Sequence, residues 1–426
     1  MPFRVYHGRN FEQIPQVARL PEDLRLAIRV VAEVLPFRVN QYVVDRLIDW
    51  DRVPDDPMYQ LVFPQEGMLP PERFAQLADL LRAGSEGEAL ERLVREIRCE
   101  LNPHPAGQTT KNVPRIGNER LWGCQHKYRE TLLFFPAAGQ TCHSYCSFCF
   151  RWAQFVDHGT WKMAVREVAT LHEYLQSHLE ITDLLVTGGD PMVMKTARLE
   201  AYLRPLVAPE FDHVQTIRIG TKALTFWPYR FVTDPDADEL LELFSFLVEQ
   251  GKHVAVMAHF EHGRELENEI VAEAVRRILG TGAVIRTQAP VLRHINDDPD
   301  VWASMWNRQV RMGMVPYYMF VERDTGARNY FEVPLERTWK IYREAIQQVS
   351  GLARTARGPS MSTDPGKVEI QGVAEVEGER VFVLRFIQAR NPDWVQRPFF
   401  AEYDPEATWL DQLRPAFGAE RFFFDE

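Results

Sequence analysis

The 426-residue sequence contains only five cysteines, and this scarcity argues against a fold held together by disulfide bonds. It is typical of a reducing compartment, so we expect a cytoplasmic protein. No apolar run approaches the roughly 20 residues that are needed to cross a bilayer, and the first residues lack the apolar core of a signal peptide. The formal net charge of −11 argues against a nucleic-acid surface. We therefore expect neither membrane nor nucleic-acid partners.

Three of the five cysteines nevertheless lie in one short loop with the spacing C-x-x-x-C-x-x-C: Cys142, Cys146 and Cys149. Thiolates clustered so tightly bind a soft metal, either zinc or the iron of an iron–sulfur cluster. A structural zinc site usually has a fourth protein ligand, for which the candidates are His126, His143 and Cys124. A cubane held by three cysteines instead leaves one iron open to a ligand. Three cysteines favour the cluster, and zinc stays an alternative.

Helical periodicity dominates roughly the first 110 residues. Apolar residues recur at helical spacing in 21–35, 71–81 and 88–99. The segment 51–60 is predicted to be a loop, because it is rich in proline and aspartate. No catalytic set of residues stands out in this region, so we interpret it as a helical cap or an oligomer contact.

From about residue 126 the pattern changes to short apolar runs separated by roughly 30 to 50 residues, the length of a strand and a crossover helix. Six such runs are predicted to be strands: 132–135, 184–186, 216–219, 254–257, 283–287 and 315–321. We predict an α/β fold, a partial (β/α)6 barrel of residues 116–350. An N-terminal helical region, 1–115, precedes it, and a C-terminal segment, 351–426, follows.

Polar motifs stand at or just after the ends of the predicted strands, and barrel folds carry their chemistry at the carboxyl ends of strands. The cysteine loop follows the first strand, and Gly188-Gly189-Asp190-Pro191 follows the second. Two glycines at a strand end allow backbone carbonyls to turn toward a ligand without side chains in the way. This turn suits the ammonium group of a ligand, although an ordinary strand-to-helix turn has similar residues.

The cysteine loop, with Phe148 before its third cysteine, resembles the signature of the radical S-adenosylmethionine (SAM) superfamily. In that superfamily the glycine turn after the next strand contacts SAM. Residues from about 126 to 370 resemble the lysine 2,3-aminomutase family, radical SAM enzymes that also carry pyridoxal phosphate (PLP). The motifs that carry this resemblance are His126-Lys-Tyr128, the cysteine loop, Leu184-Leu-Val-Thr-Gly-Gly-Asp-Pro191, Arg218-Ile-Gly220, His259-Phe-Glu-His262, Gln288, Arg293-His-Ile-Asn-Asp297 and Pro316-Tyr-Tyr318. Beyond about residue 375 there is no resemblance.

The resemblance implies a role for particular residues. The three loop cysteines would hold a [4Fe–4S] cluster whose fourth iron is chelated by SAM. Gly188, Gly189 and Asp190 would contact the methionine end of SAM, and Gln288 would lie near its nucleoside. Lys367 would form the Schiff base with PLP, and its place between a Pro-Gly turn and a strand suits a fixed nucleophile.

Two further residues are implied to bind anions. Arg151, two residues past the last cysteine, would clamp the α-carboxylate of the substrate, since its planar guanidinium donates two parallel hydrogen bonds. Lys127 is a candidate for holding the phosphate of PLP.

The reaction implied by the resemblance is that of an isomerase. A 5′-deoxyadenosyl radical would take a hydrogen from an amino acid bound to PLP, and the α-amino group would move to the β-carbon. The expected partners are a small amino-acid substrate, an electron donor such as flavodoxin or ferredoxin, and further copies of the chain in a homo-oligomer. Two alternatives stay open: a radical SAM enzyme of the same fold that acts on a peptide or protein-bound residue, and a zinc-stabilised binding module.

The sequence departs from the family where the substrate side chain is expected to bind. Two carboxylates hold the distal ammonium group in the lysine-specific enzymes. Here the first position falls on Arg323, with Asp324 adjacent, and the second falls near Asp364. A cation in place of an anion reverses the preferred side chain. We therefore slightly favour an acidic or neutral amino acid over lysine as the substrate.

Overall fold

One sheet of eleven strands organises the fold. The structure is a computed structural model that describes residues 2–84, 87–102, 111–156, 164 and 168–425. The strands of this sheet are β5 (Cys124–Tyr128), β6 (Thr131–Phe134), β7 (Asp183–Val186), β8 (Thr216–Thr221), β9 (His253–His259), β10 (Val284–Val291), β11 (Val315–Val321), β12 (Arg357–Ser362), β13 (Gly366–Val376), β14 (Glu379–Ala389) and β15 (Pro398–Glu402).

The order of the strands across the sheet follows their order in the chain. Neighbouring strands from β6 to β12 pair in parallel, whereas β5 and the group β13, β14 and β15 pair antiparallel with their neighbours. The central strands are apolar on both faces: in β9 five of seven residues are buried, as expected of a parallel strand that is covered on both sides. All six predicted strands are confirmed, and β12 adds a seventh parallel strand that was not predicted.

Four short strands lie outside the large sheet: β1 (Val5–His7) pairs with β2 (Arg38–Asn40), and β3 (Arg115–Ile116) pairs with β4 (Glu119–Arg120). The helices of the described residues are α1 (Glu22–Val34), α2 (Gln41–Arg46), α3 (Pro57–Val62), α4 (Pro71–Arg82), α5 (Glu88–Glu100), α6 (Ala153–Val156), α7 (Val168–Ser177), α8 (Thr196–Leu203), α9 (Ala223–Phe226), α10 (Ala237–Glu249), α11 (Glu269–Gly280), α12 (Pro299–Arg311), α13 (Arg328–Phe331) and α14 (Leu335–Gln347). None of them is long and apolar enough to cross a membrane.

The three helices that were predicted near the N-terminus are confirmed as α1, α4 and α5. The prediction of a loop at 51–60 is partly wrong, because α3 begins at Pro57. The Asp56 side chain accepts hydrogen bonds from the amides of Met58 (3.0 Å) and Tyr59 (2.9 Å). Aspartate and proline thus act here as the N-cap and first residue of a helix.

The sheet bends so that its first strand approaches the turn after its eighth. Lys127 in β5 donates a hydrogen bond to the carbonyl of Thr363, between β12 and β13. Among the strands of the described residues no pairing closes the sheet into a barrel. The α/β class is therefore confirmed, and the partial barrel stays a prediction.

Three large hydrophobic clusters, and a small one of Val113 and Phe135, form the core of the described chain. One lies between the parallel sheet and its helices, and a second joins the N-terminal helices to Trp152, Phe226 and Trp227 near the carboxyl ends of the strands. The third joins β13, β14 and β15 to the last residues of the chain. The sheet itself crosses the predicted boundary at residue 350, and the division into domains stays a prediction.

Candidate active site

The cysteine loop follows β6 and is held from outside by the N-terminal region. Its backbone donates hydrogen bonds from Tyr145 to the carbonyl of Arg38 (2.8 Å) and from Ser147 to the carbonyl of Leu61 (2.9 Å). Cys142, Cys146 and Cys149 are partly buried and are not in disulfides. The region that was interpreted as a cap therefore packs directly on the candidate metal site.

Asn40 is the residue that joins these parts. Its side chain is fully buried and donates hydrogen bonds to the carbonyl oxygens of Phe226 (2.7 Å) and His143 (3.3 Å). The same side chain accepts the amide of Val43, and its backbone amide donates to Ser144 Oγ. Burial of an amide group costs free energy unless its hydrogen bonds are made, so these bonds fix the loop relative to α2 and α9.

The predicted glycine turn packs against the start of the same loop. The amide of Gly189 donates to the carbonyl of Gly139 (2.9 Å), and the amide of Asp190 donates to that of Thr141 (2.7 Å). A Cβ atom on Gly189 would lie 2.6 Å from the carbonyl carbon and 2.7 Å from the amide nitrogen of Thr141, and would also meet its carbonyl oxygen. Glycine is required here because two backbones approach this closely.

Asp190 is almost fully buried and joins this turn to β8. Its carboxylate accepts hydrogen bonds from the Thr221 hydroxyl (2.6 Å) and from the amides of Met192 and Lys222 (both 2.9 Å). These bonds orient the turn beside Cys142, whose pKa is raised by burial and by the Asp190 carboxylate.

Burial also raises the pKa of the other loop cysteines, and the pKa of Cys149 is about 11. Arg151 counteracts this shift at Cys149. Three thiols that lie in one loop and outside any disulfide are soft ligands, and this donor set fits a site that is completed by a metal group. The residues present therefore fit the cluster.

Two of the three candidate fourth zinc ligands, His126 and Cys124, fit a closed zinc site less well. The third, His143, stays a candidate, because its buried Nδ1 has no hydrogen-bond partner among the described residues. Both ring nitrogens of His126 are engaged, with Tyr174 Oη (2.8 Å) and the carbonyl of Arg129 (3.0 Å). Cys124 is buried in the hydrophobic core of the parallel sheet. Within the described chain, no group of three or more histidine, cysteine or acidic side chains is close enough to hold a single ion. Cluster cysteines, in contrast, each bind a different iron.

Gln288 lies apart from the cavity described below, in the middle of β10 and opposite His259, the last residue of β9. Its side-chain nitrogen is 2.8 Å from His259 Nε2. Beneath this pair, the buried amine of Lys222 contacts the carboxylates of Glu261 and Glu265, and its Nζ is 2.6 Å from Glu265 Oε1. Burial alone would lower the pKa of Lys222, but the two carboxylates raise it. Burial raises the pKa of Cys146, and of its two charged neighbours Lys222 lowers that pKa whereas Glu261 raises it.

A cavity of about 1380 Å³ opens on the other side of the cysteine loop. It is lined by five residues that were predicted from the sequence to bind substrate or PLP: Arg151, Arg323, Asp324, Asp364 and Lys367. Lys127 lines it as well. Arg151 and Lys367, which are 216 positions apart in the chain, therefore share one space beside the cysteine loop.

Lys367 lines this cavity, and its amine has few polar partners. Its Nζ is 3.3 Å from Gln388 Oε1 and 4.1 Å from the centre of the Tyr318 ring. Burial and the nearby cations Arg218, Arg357 and Lys127 lower the pKa of Lys367 to about 7. A neutral amine near pH 7 is the form that attacks an aldehyde, and the surrounding cations suit a phosphate group. The residues present therefore fit PLP.

Arg151 presents its guanidinium at the boundary between the loop and the cavity. It lies over the Phe135 ring (4.1 Å) and donates a hydrogen bond to Gln154 Oε1 (2.5 Å), while its buried Nε has no partner in the described part of the chain. Burial lowers the pKa of Arg151 to about 10, so the group stays cationic at neutral pH.

The cavity wall is electropositive although the chain is acidic. Nine lysine and arginine side chains line it, against five acidic ones. Burial lowers the pKa of two of them, Lys127 and Lys367, to about 7, and the other seven are cationic at neutral pH. Asp364 is engaged by Lys111 (2.7 Å) and Arg390 (2.9 Å), which lower its pKa against the effect of burial. Arg323 Nε is 3.5 Å from Asp324 Oδ1. Both carboxylates that could bind a cationic substrate thus already have cationic neighbours.

Several lining residues were not recognised as site residues from the sequence. Gln388 is on β14, and Arg390, Trp409 and Arg414 belong to the segment in which no resemblance was found. Arg218, in a motif that was quoted for the resemblance, also lines the cavity and pairs with Asp183 (2.8 Å). The C-terminal segment therefore forms part of the wall, which no local sequence motif indicated.

Comparison with known proteins finds relatives that are named amino-acid 2,3-aminomutases. A provisionally named L-lysine 2,3-aminomutase of Aquifex aeolicus is 32% identical over 396 residues, which is 93% of this chain and 92% of that protein. The L-lysine 2,3-aminomutase of Bacillus subtilis is 24% identical and covers 85% of this chain and 66% of its own. The glutamate 2,3-aminomutase of Clostridioides difficile is 27% identical over 50% of this chain and 47% of its own.

No protein-family model matches the chain. Among solved structures, a radical SAM methyltransferase from Sphaerobacter thermophilus has a TM-score of 0.39 at 14% identity, covering 55% of this chain and 68% of that one. SuiB from Streptococcus suis has a TM-score of 0.35 at 11% identity, covering 65% and 58%. Likeness of this degree carries no weight for function. The relatives found by sequence show the family: the chain belongs to the lysine 2,3-aminomutase family.

Proposed function

We propose that this protein is a radical SAM amino-acid 2,3-aminomutase, which moves the α-amino group of its substrate to the β-carbon. Its family consists of isomerases that use a [4Fe–4S] cluster, SAM and PLP. The observation that carries the proposal is the shared cavity: the amine of Lys367, with its pKa near 7, lines the same space as Arg151, which directly follows the cysteine loop.

The residues for each group are proposed as follows. Cys142, Cys146 and Cys149 would hold the cluster, the turn at Gly188–Asp190 and Gln288 would hold SAM, and Lys367 would hold PLP. Lys127 and Arg218 would face the phosphate. When bound, these groups supply a carbon-centred radical and delocalisation of an unpaired electron. The partial barrel proposed for the fold would place them inside the curved sheet.

The chain itself supplies position and charge. Arg151 would hold the α-carboxylate with two parallel hydrogen bonds, so that the α- and β-carbons lie between the cluster and Lys367. Gln388 would orient the amine of Lys367, to which it is hydrogen-bonded. The N-terminal helices and the C-terminal segment, which cover the cysteine loop and the cavity, would exclude water from reactive species.

An acidic or neutral amino acid is the proposed substrate. A lysine side chain would bring an ammonium group to Arg323 in a partly desolvated pocket, and such a like-charge contact costs several kcal/mol. The adjacent Asp324 and the distant Asp364 lie beside arginines or a lysine, which weakens their pull on a second ammonium group. A flavodoxin or ferredoxin as electron donor and a homo-oligomeric state complete the proposal.

The test is the cofactor content of the anaerobically purified protein. We expect brown protein with iron and sulfide, and PLP that borohydride fixes to a peptide containing Lys367. Iron with SAM cleavage but without PLP would instead favour a radical SAM enzyme of another reaction, acting on a peptide or protein-bound residue. Colourless protein that contains zinc would contradict both and favour a binding module.

A further inference from the structure

Trp409 is one of four aromatic residues of the C-terminal segment that line the cavity, with Trp394, Phe422 and Phe424. The guanidinium carbon of Arg323 lies 5.7 Å from the centre of the Trp409 ring and 5.4 Å from that of Phe150. Arginine stacks on aromatic faces at such distances, and tryptophan is the best partner. Arg323 thus lies between two rings: that of Phe150, which follows the last loop cysteine, and that of Trp409, which is 86 positions after Arg323 in the chain.

The backbone around Trp409 is fixed to the segment that follows Arg323. The amide of Leu335 donates to the carbonyl of Ala407 (2.8 Å), and the Thr408 hydroxyl donates to Glu332 Oε2 (2.8 Å). Gln412 accepts the amides of Thr408 (2.7 Å) and Trp409 (3.2 Å). Trp409 itself is buried, with an exposed fraction of 5%. Its ring is therefore presented to Arg323 from a rigid support.

One N–H group of the Arg323 guanidinium makes no hydrogen bond within the described structure. Its Nε is buried and has no hydrogen-bond partner among the residues that the structure describes. The neighbouring Asp324 Oδ1 is 3.5 Å away, which is an ion pair rather than a hydrogen bond. Without the two rings, a long and flexible arginine could fold onto this carboxylate and be neutralised.

We propose that Trp409 is a positioning residue for substrate selection: its ring keeps the guanidinium of Arg323 extended into the cavity, where it binds a carboxylate on the substrate side chain. The C-terminal segment is then a specificity element. This inference rests on the proposed function and deepens it, since it assigns an acidic amino acid to the cavity.

The experiment compares glutamate with glutamine, which differ in charge but hardly in shape. The protein loaded with PLP is titrated with each amino acid, and binding is followed by the visible absorbance of the cofactor. In the wild type we expect glutamate to bind more tightly. We define the ratio as the Kd for glutamine divided by the Kd for glutamate. Trp409→Leu should reduce this ratio on the order of tenfold, and Trp409→Phe should retain most of it.

Two controls separate positioning from damage to the fold. Phe399→Leu loosens the same C-terminal core, in which Phe399 packs on Phe386 and Phe424, without contact to Arg323. It should lower Tm and leave the ratio unchanged. In an Arg323→Met background Trp409→Leu should have no further effect on the ratio, because the two residues act as a unit.

A ratio that Trp409→Leu leaves at the wild-type value, or lowers equally in the Arg323→Met background, would overturn the inference while the proposed function stands. Failure of the proposed function looks different: no amino acid would change the absorbance of the wild-type protein at all.

Discussion

At the scale of the residue, the amine of Lys367 is set apart by its surroundings. Burial and three nearby cations favour its neutral form and lower its pKa to about 7. The ordinary pKa of a lysine side chain is about 10.4. Since only the neutral amine attacks an aldehyde, this difference has a kinetic consequence.

We predict that the rate of PLP attachment to cofactor-free protein rises with pH through an inflection near 7 and is level above it. Lys367→Arg should abolish attachment, whereas Lys340→Arg, which changes a lysine paired with Glu336 (3.0 Å) outside the cavity, should not. The measurement is the growth of cofactor absorbance after mixing. A rate that keeps rising up to pH 10 would show that another lysine reacts.

The loop cysteines give a second prediction at this scale. Replacing Cys146 by serine should remove most of the iron, because a hydroxyl is a poor ligand for a soft metal site. Cys99→Ser and Cys124→Ala should retain it, since Cys99 is exposed on α5 and Cys124 lies in the core. Iron and sulfide are measured after anaerobic reconstitution. Full iron in Cys146→Ser would refute the assignment.

At the scale of the element, the turn after β7 and the cysteine loop form one unit. We predict that Gly189→Ala lowers iron incorporation, because the added methyl group would displace Thr141, the neighbour of Cys142. The cost in stability is on the order of 1–3 kcal/mol, as for other overpacked sites. Gly263→Ala is the matched control, since its Cβ would meet nothing within 4 Å.

Both variants are compared by iron content and by Tm. If Gly189→Ala keeps wild-type iron and Tm, the close approach of the two backbones is not needed for the cluster site. If Gly189→Ala lowers Tm but keeps the full iron content, the glycine is needed for folding stability and not for the cluster site.

The sequence predicted correctly those helices and strands whose apolar residues follow a regular spacing or form a short continuous run. Helices α1, α4 and α5 follow from apolar spacing, and the six predicted strands follow from short apolar runs. It failed at α3, where Asp56 and Pro57 suggest a loop but in fact begin a helix. It also failed at β12, where Gly358 and Pro359 interrupt the pattern of a strand.

The site was predictable in part for a similar reason. The cysteine loop, the glycine turn and Lys367 carry local signals or match family motifs. That Asp364 is occupied by Lys111 and Arg390, or that Trp409 stacks on Arg323, depends on residues 26 to 253 positions apart. Such contacts depend on the fold of the whole chain, so they cannot be predicted from the residues on either side of each position.

At the scale of the whole molecule, the parallel sheet, the end of the cysteine loop and the C-terminal segment line one cavity. The chain carries a net charge of −11, yet cations outnumber acids on the cavity wall. This concentration of positive charge fits anionic ligands, namely a phosphate and the carboxylates of an acidic substrate.

A charge reversal at Arg323 tests this distribution. We predict that Arg323→Asp shifts the preference of the enzyme from glutamate toward lysine on the order of 10²-fold in kcat/KM, because it exchanges a repulsive contact for an attractive one. Asp324→Ala is the companion variant and should not reduce the activity on glutamate. If Asp324→Ala abolishes a preference for lysine, then Asp324 is the selecting residue.

The most direct measurement is the product formed by the reconstituted enzyme. Protein with its cluster, SAM, PLP and a reductant is incubated anaerobically with glutamate, a neutral amino acid or lysine, and β-amino-acid isomers are quantified by mass spectrometry. We predict β-isomer formation, with the acidic or neutral amino acid preferred over lysine. A wide margin in favour of lysine would contradict the substrate assignment, and the absence of any β-isomer from an enzyme that cleaves SAM would contradict the proposed reaction.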